Sequence, residues 1–226
     1  MSDLKLVIFD VDGTLVDSQG AIVGAMTAAF EAVSLPVPER AVLLSIVGLS
    51  LDKAMARLTP ALDAAGHATM VAAYKEAYHS HRVATGAASM PLYPGALETL
   101  EALAGIPEVL LGVATGKSRR GLDAMIEVHG LERFFVTRQV ADDHPSKPHP
   151  SMILTAMAET GVDRGMTAMV GDTEFDMEMA ASAGVAGLGV SWGYHPPHLL
   201  TAARVVLDRF DELPAQLEAI WKEPVA

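Results

Sequence analysis

The chain has 226 residues, half of them hydrophobic, which suffices for one domain-sized core, with or without a smaller inserted unit. It contains no cysteine, which excludes a disulfide framework, thiolate metal sites and a cysteine nucleophile, so a reducing, cytoplasmic setting is the expectation. Its formal charge is −12 and its Lys and Arg are scattered apart from Arg119-Arg120, so nucleic acid is not an expected partner.

Taken in chain order, the first apolar run is Leu6-Val7-Ile8-Phe9. It reads as a strand buried on both faces, the pattern of a parallel sheet, and it ends in Asp10-Val11-Asp12-Gly13. The run is too short for a signal peptide or a membrane span, and acids follow at once, so no membrane association is expected. Asp17 or Ser18 is a suitable N-cap for a helix running to about Leu35, where Pro36 and Pro38 stop it. From there to about Ala88, Ala, Leu and Met recur at helical spacing, broken near Gly48 and Pro60, which predicts a four- or five-helix insert. Gly86, Pro91 and Pro94-Gly95 mark its end.

Beyond the insert, strand and helix patterns alternate. Strands are expected at Val109–Ala114, Phe134–Val140, Thr167–Val170 and Ala186–Val190, with an edge strand at Arg204–Leu207. The intervening helices are expected at Ser118–His129, Pro150–Gly161 and Glu174–Ala183, and a closing helix at Asp211–Lys222. Repeated βα units predict an α/β fold: a doubly wound, Rossmann-like parallel sheet with helices on both faces. The core then comprises 1–16 and 89–226, and the helical cap 17–88.

Four expected strand ends carry polar residues: Asp10 and Asp12, then Thr115, then Lys147, then Asp172 with Asp176. Singly these mean little. Asp-x-Asp favours turns, a threonine at a strand end caps the next helix, and acids at a helix start suit its dipole. Lys147 alone would be a surface lysine, although Pro148 and Pro150 hold it in a fixed turn. Together they form a site, because ligands of open parallel sheets bind at the carboxyl ends of the strands. Four carboxylates, one Mg²⁺ and Lys147 reach zero charge when Asp12 is protonated, an arrangement suited to phosphoryl transfer. A carboxylate attacks a phosphate dianion only once their repulsion is removed, and an acid two residues along the strand can protonate the leaving oxygen and later activate water. Gly13 permits the tight turn and brings backbone amides near as phosphate donors. Gly112 to Lys117 resembles a P-loop but is one residue short between its glycines, so it cannot wrap a triphosphate in the same way. His195 and His198 flank two prolines and show no metal-ligand spacing.

Asp10-Val11-Asp12-Gly13-Thr14-Leu15, Ala114-Thr115-Gly116-Lys117, Ser146-Lys147-Pro148 and Gly171-Asp172-Thr173-Glu174-Phe175-Asp176 resemble, in order, the four motifs of the haloacid dehalogenase superfamily, closest to its phosphoglycolate-phosphatase-like branch. The resemblance implies Asp10 as a nucleophile that becomes an aspartyl-phosphate, and Asp12 as general acid and base. It also implies that Thr115, Lys147 and the loops at Gly13 and Gly116 hold the phosphoryl group. Mg²⁺ would sit between Asp10, the Asp12 carbonyl and Asp172, with Asp176 outside them, orienting Lys147 or a metal-bound water. The implied partner is a small phosphomonoester, phosphoglycolate first, under a cap that closes over the strand ends. Dehalogenases carry tyrosine in place of Asp12, and phosphonate hydrolases alanine. A β-phosphoglucomutase-type mutase places an arginine after the glycine of the cap loop, where Gly48-Leu49-Ser50-Leu51 offers leucine. A non-catalytic phosphate-binding module would not need nucleophile, acid and metal ligand together. Lys53, Arg57 and Arg82 are the candidate cap cations.

Overall fold

The computed structural model describes residues 4–222. A six-stranded, wholly parallel sheet runs through its centre: β1 (Lys5–Phe9), β2 (Val109–Thr115), β3 (Phe135–Val140), β4 (Thr167–Gly171), β5 (Ala186–Val190) and β6 (Val205–Leu207), in the order β3-β2-β1-β4-β5-β6. From β1 the sheet grows in both directions, so the switch of topology lies between β1 and β4, where such sheets open a crevice at their carboxyl edge. Asp10 follows β1 and Asp172 follows β4 on that edge.

Between β1 and β2 come α1 (Gln19–Ala32), α2 (Arg40–Leu44), α3 (Leu51–Leu58) and α4 (Ala64–Thr85), followed by a 3-10 turn at Gly86–Ser89. Ile22, Met26 and Phe30 of α1 pack with Leu43, Met55 and Met70 in a core of the insert's own. Each such burial is worth roughly 1.5–3 kcal/mol, which is what lets these helices hold together as a layer. The chain enters and leaves the insert side by side, with the Asp17 amide donating to the Pro91 carbonyl and the Tyr93 amide to the Leu15 carbonyl, each at 2.9 Å.

Two details of α1 depart from the sequence reading. Ser18 precedes the helix but its side chain does not cap it, because its hydroxyl is engaged by Asp12. The helix also closes at Ala32 rather than near Leu35. The amides of Ser34 and Leu35 fold back onto the carbonyls of Glu31 and Phe30, at 3.0 and 3.1 Å, and Ser34 takes a left-handed φ of 55°, so the turn is complete before the prolines are reached.

Alternation along β1 sends Val7 and Phe9 to one face of the sheet and Leu6 and Ile8 to the other. The first pair shares a core with α5 (Ala96–Ala104), α6 (Arg119–His129) and α9 (Leu213–Lys222); the second shares one with α7 (Ser151–Thr160) and α8 (Glu174–Ala183). Helix α5 was not among the expected elements, although Ala96, Leu100 and Leu103 carry its buried stripe. Among the described residues no helix is long and apolar enough to cross a membrane.

Candidate active site

The floor of the site is a buried ionic knot. Lys147 Nζ donates to Asp10 Oδ1 at 2.7 Å and to Asp176 Oδ1 at 2.6 Å, with all three side chains essentially without solvent. The other oxygen of Asp176 accepts the Thr173 hydroxyl at 2.6 Å and the Thr173 amide at 3.1 Å, and the Asp176 amide donates back to the Thr173 hydroxyl at 3.3 Å, which completes the capping box that starts α8. Asp172 accepts the Thr14 hydroxyl at 3.0 Å on Oδ1 and the Tyr194 amide at 2.8 Å on Oδ2. It is wedged between two glycines: a Cβ on Gly13 would fall 2.2 Å from Asp172 Oδ2, and one on Gly193 would fall 2.1 Å from Asp172 Cβ. Gly13 also needs its φ of +89°, and its own amide is taken by the Val16 carbonyl at 2.9 Å, so it supplies space and a turn while any phosphate-facing amide must come from a neighbour.

Asp10, Asp172 and Asp176 can place one carboxylate oxygen each within 4.8 Å of one another. Burial pushes the Asp10 carboxyl up to about 7 despite the ammonium of Lys147, and Asp176 and Asp12 add to the rise. Burial, then the charges of Asp10 and Asp176, likewise raise Asp172 well above the usual carboxylate range. For Lys147 burial works downward, but Asp10 and Asp176 more than offset it and hold the ammonium above its ordinary range. Asp10 Oδ2 is buried with no hydrogen-bond partner. Three crowded acids, one lysine and an orphaned carboxylate oxygen fit a divalent cation, whose charge would relieve the crowding and whose coordination would occupy that oxygen.

Asp12 forms the wall. Its Oδ1 accepts from Lys117 Nζ at 2.7 Å and from the Ser18 hydroxyl. Ser18 is in turn engaged by Tyr194, whose hydroxyl accepts the Ser18 amide at 2.9 Å and lies 3.0 Å from Ser18 Oγ. Lys117 Nζ reaches the Tyr78 hydroxyl of α4 at 2.9 Å, so one lysine ties the sheet edge, Asp12 and the insert together. Burial would lower Lys117, but Asp12 and Tyr78 outweigh it and hold the ammonium above its usual range. Lys117 adds a positive charge to the count, so the site with Asp12 protonated and a divalent cation bound would stand at one net positive charge, suited to an anionic substrate.

Asp10, Asp12, Thr115, Gly116 and Lys117 open onto a cavity of about 420 Å³ roofed by the insert, through Met26, Leu49, Leu51, Tyr74 and Tyr78 among others. Thr115 ends β2, is buried, and accepts the Lys117 amide at 3.2 Å. Gly116 lies against the insert so closely that a Cβ there would fall 2.7 Å from the Gly48 carbonyl oxygen and 2.8 Å from that of Leu49. The Ser50 amide donates to Ser146 Oγ at 2.9 Å, and His195 bridges the Glu174 amide to the Ser45 carbonyl, at 3.3 and 3.1 Å. His195 is therefore a buried tie between loop and insert. Of the three candidate cap cations only Arg82 lines the cavity; Arg57 lies over the Phe175 ring, 5.4 Å from its centroid, and Lys53 is not part of the lining.

All eight residues singled out from the sequence lie along one edge of the sheet, Asp10, Asp12, Thr115 and Gly116 facing the cavity and Lys147, Asp172, Asp176 and Gly13 beneath or beside them. Lys117, Ser18, Tyr78 and Tyr194 received no place in the site from the sequence, which offers Ser18 only as an N-cap. Lys117 had a signal, two residues past Thr115 at a strand end; Tyr194 had none, since only the fold brings it to Ser18.

The model of the haloacid dehalogenase-like hydrolase family matches residues 7–190. The chain is 38% identical over 221 residues to "Probable phosphatase IndB" of Dickeya dadantii, covering 96% of this chain and 95% of that one. It is 32% identical to the phosphoglycolate phosphatase of Agrobacterium fabrum, covering 98% and 96%. Among solved structures, a hydrolase from Pseudomonas syringae matches with a TM-score of 0.84 at 23% identity, over 96% of this chain and 99% of that one. A haloacid dehalogenase-like hydrolase from Streptococcus pneumoniae matches at 0.81 and 24%, with the same coverage. With the sheet, the acidic knot at its carboxyl edge and these matches in agreement, this chain is a phosphatase-type enzyme and belongs to the haloacid dehalogenase-like hydrolase family.

Proposed function

We propose that the enzyme hydrolyses a small phosphomonoester with Mg²⁺ through an aspartyl-phosphate on Asp10, under a cap formed by residues 17–88. The observation that carries this reading is Asp10 itself, a buried carboxylate with one oxygen on Lys147 and the other unpartnered, at the floor of a cavity walled by Asp12. Asp10 attacks phosphorus, the ester P–O bond breaks, and the leaving alkoxide takes a proton from Asp12. Asp12 then takes a proton from water, which attacks phosphorus and frees Asp10. Thr115 and the amides around Gly116 hold the phosphoryl oxygens, while Lys147 neutralises charge beside Asp10. Asp10, Asp172 and the Asp12 carbonyl would hold the cation, which supplies positive charge that lowers the repulsion between carboxylate and phosphate. Asp176, with both oxygens already engaged by Lys147 and Thr173, serves to position that lysine.

Phosphoglycolate is the first substrate to test, supported by the name of the Agrobacterium relative. A phosphate-release screen with and without Mg²⁺, over phosphoglycolate, other small phosphomonoesters, sugar phosphates, nucleotides and pyrophosphate, tests the reading. Magnesium-dependent release from small phosphomonoesters is the expected result. Isomerisation of a sugar phosphate without release would favour the mutase alternative, and no turnover of any compound the binding-module alternative.

A further inference from the structure

The cavity is also lined by two arginines from opposite sides of the seam, the half-buried Arg82 on α4 and the exposed Arg120 on α6. They converge on one imidazole: Arg82 Nη2 lies 3.2 Å from His79 Nδ1, and Arg120 Nη2 lies 3.1 Å from His79 Nε2 and 3.3 Å from Nδ1. A neutral imidazole accepts at one nitrogen only, so this ring cannot satisfy both guanidinium groups. The remaining contact between them, Arg82 Nη1 to the Arg120 carbonyl, is long at 3.5 Å. Asp52 and Asp142 also line the cavity, yet among the described residues neither arginine forms an ion pair with a carboxylate. In a chain of net charge −12, two guanidinium groups that meet in the wall of a cavity with no carboxylate ion pair have the charge to hold an anion between them.

Arg119, next along the chain, shows the contrast. Its guanidinium is committed to Asp143 at 2.8 Å and to the Arg138 carbonyl at 2.9 Å, and it does not line the cavity. Asp10 and Thr115 are buried, whereas Arg82 is half-buried and Arg120 exposed, so the arginines stand nearer solvent than the chemistry-bearing residues of the same cavity. A cavity of about 420 Å³ with Met26, Leu49 and Leu51 in its wall has room for more than the phosphoryl group.

Resting on the phosphatase reading, we infer that the substrate carries a second anionic group, a carboxylate or another phosphate, on its leaving alcohol, and that Arg82 and Arg120 clamp it. The Leu51 loop offers no cation for that purpose; the clamp comes from α4 and α6 instead. Because one arginine belongs to the insert and the other to α6, which flanks the sheet, the anion would bridge insert and core and favour the closed arrangement. A substrate without it would lose that hold on the roof.

The test is calorimetric binding to the full chain in Mg²⁺. Phosphonoacetate, 3-phosphonopropionate and 4-phosphonobutyrate are compared with ethylphosphonate on the wild type, Arg82→Gln and Arg120→Gln. At least one carboxylate probe should bind about tenfold or more tightly than ethylphosphonate, the scale of one charge-assisted pair. Either substitution should abolish most of that advantage and leave ethylphosphonate binding unchanged. In parallel, kcat/KM for phosphoglycolate against 2-hydroxyethyl phosphate and propane-1,3-diol bisphosphate distinguishes a carboxylate from a second phosphate as the preferred anion. Ethylphosphonate binding without any carboxylate advantage together with no kcat/KM preference for the bisphosphate over 2-hydroxyethyl phosphate, or equal losses for both kinds of probe in the variants, overturns the clamp and leaves the phosphatase reading standing. No binding of ethylphosphonate together with no phosphate release overturns both.

Discussion

In the proposed reaction Asp10 carries the heaviest demand of any residue, as nucleophile and cation ligand while it also pairs with Lys147. Asp10→Asn should abolish turnover and the acid-stable phosphoryl label on the protein, because an amide does not attack phosphorus; appreciable activity in this variant would remove Asp10 as nucleophile. Asp12→Ala should cost on the order of 10²–10⁴ in rate, less for an aryl than for an alkyl phosphate in a rapid-quench measurement of the first step. Burial also links Asp10 to stability. Its carboxyl stands at about 7 in the fold against 3.8 for the unperturbed group, so the folded state holds more protons across that interval and stability from this group falls as pH rises through it. A cation bound between the acids removes that cost. Mg²⁺ should therefore raise the melting temperature more at about pH 8 than at about pH 5.5; an equal rise at both would place the cation elsewhere.

These acids were legible in the sequence because each sits at a strand end beside a glycine or a helix start. Their supporting contacts were not. Ser18 has the sequence position of an N-cap, and nothing local shows that its hydroxyl is drawn to Asp12. Tyr78 lies on α4 and meets Lys117 only because the insert folds back onto the sheet.

At the scale of elements, the seam between insert and sheet is governed by a few close contacts. Gly116→Ala would drive a methyl group into the Gly48 and Leu49 carbonyls, so the roof must shift. The expected cost is on the order of 10² in kcat/KM, the effect of an ångström-scale misplacement, with little change in melting temperature. A large stability loss with unchanged kinetics per folded molecule would argue that this contact does not position the roof. His195 gives the seam a pH dependence. Burial lowers its pKa, against the contrary pull of Ser45, Glu174 and Asp176, so the fold favours the neutral ring. Below about pH 6.5 the unfolded chain takes up the proton that the fold resists, and stability falls. His195→Asn should lose less stability between about pH 7 and pH 5 than the wild type does, as read by denaturant titration at each pH. His144, whose pKa burial also lowers, is unchanged in both proteins and cancels from the comparison. The β-strands and the later helices were readable from their apolar runs and caps, and Glu174–Ala183 and Ala186–Val190 fall at the expected bounds. Helix α5 does not stand out in the sequence, because it follows the Pro94-Gly95 break directly and its Ala96, Leu100, Leu103 stripe spans only a short segment.

For the whole molecule, the order of strands in space conflicts with their order in the chain. β1 and β2 are hydrogen-bonded neighbours, yet everything from residue 10 to residue 108 lies between them. Closing a flexible loop becomes costlier with length, by about 0.6 kcal/mol for each doubling. The two backbone bonds at the insert's base, from Asp17 to Pro91 and from Tyr93 to Leu15, change that arithmetic, since an insert that has already folded brings its ends together and leaves only short arms to join. Assembly should then begin with the insert. Met55→Ala, in the insert's core, should slow refolding as well as hasten unfolding in stopped-flow measurements, whereas a purely accelerated unfolding rate would mean that the sheet forms first. Two ordinary backbone hydrogen bonds at the root of a roof would thus act as a clock for the floor.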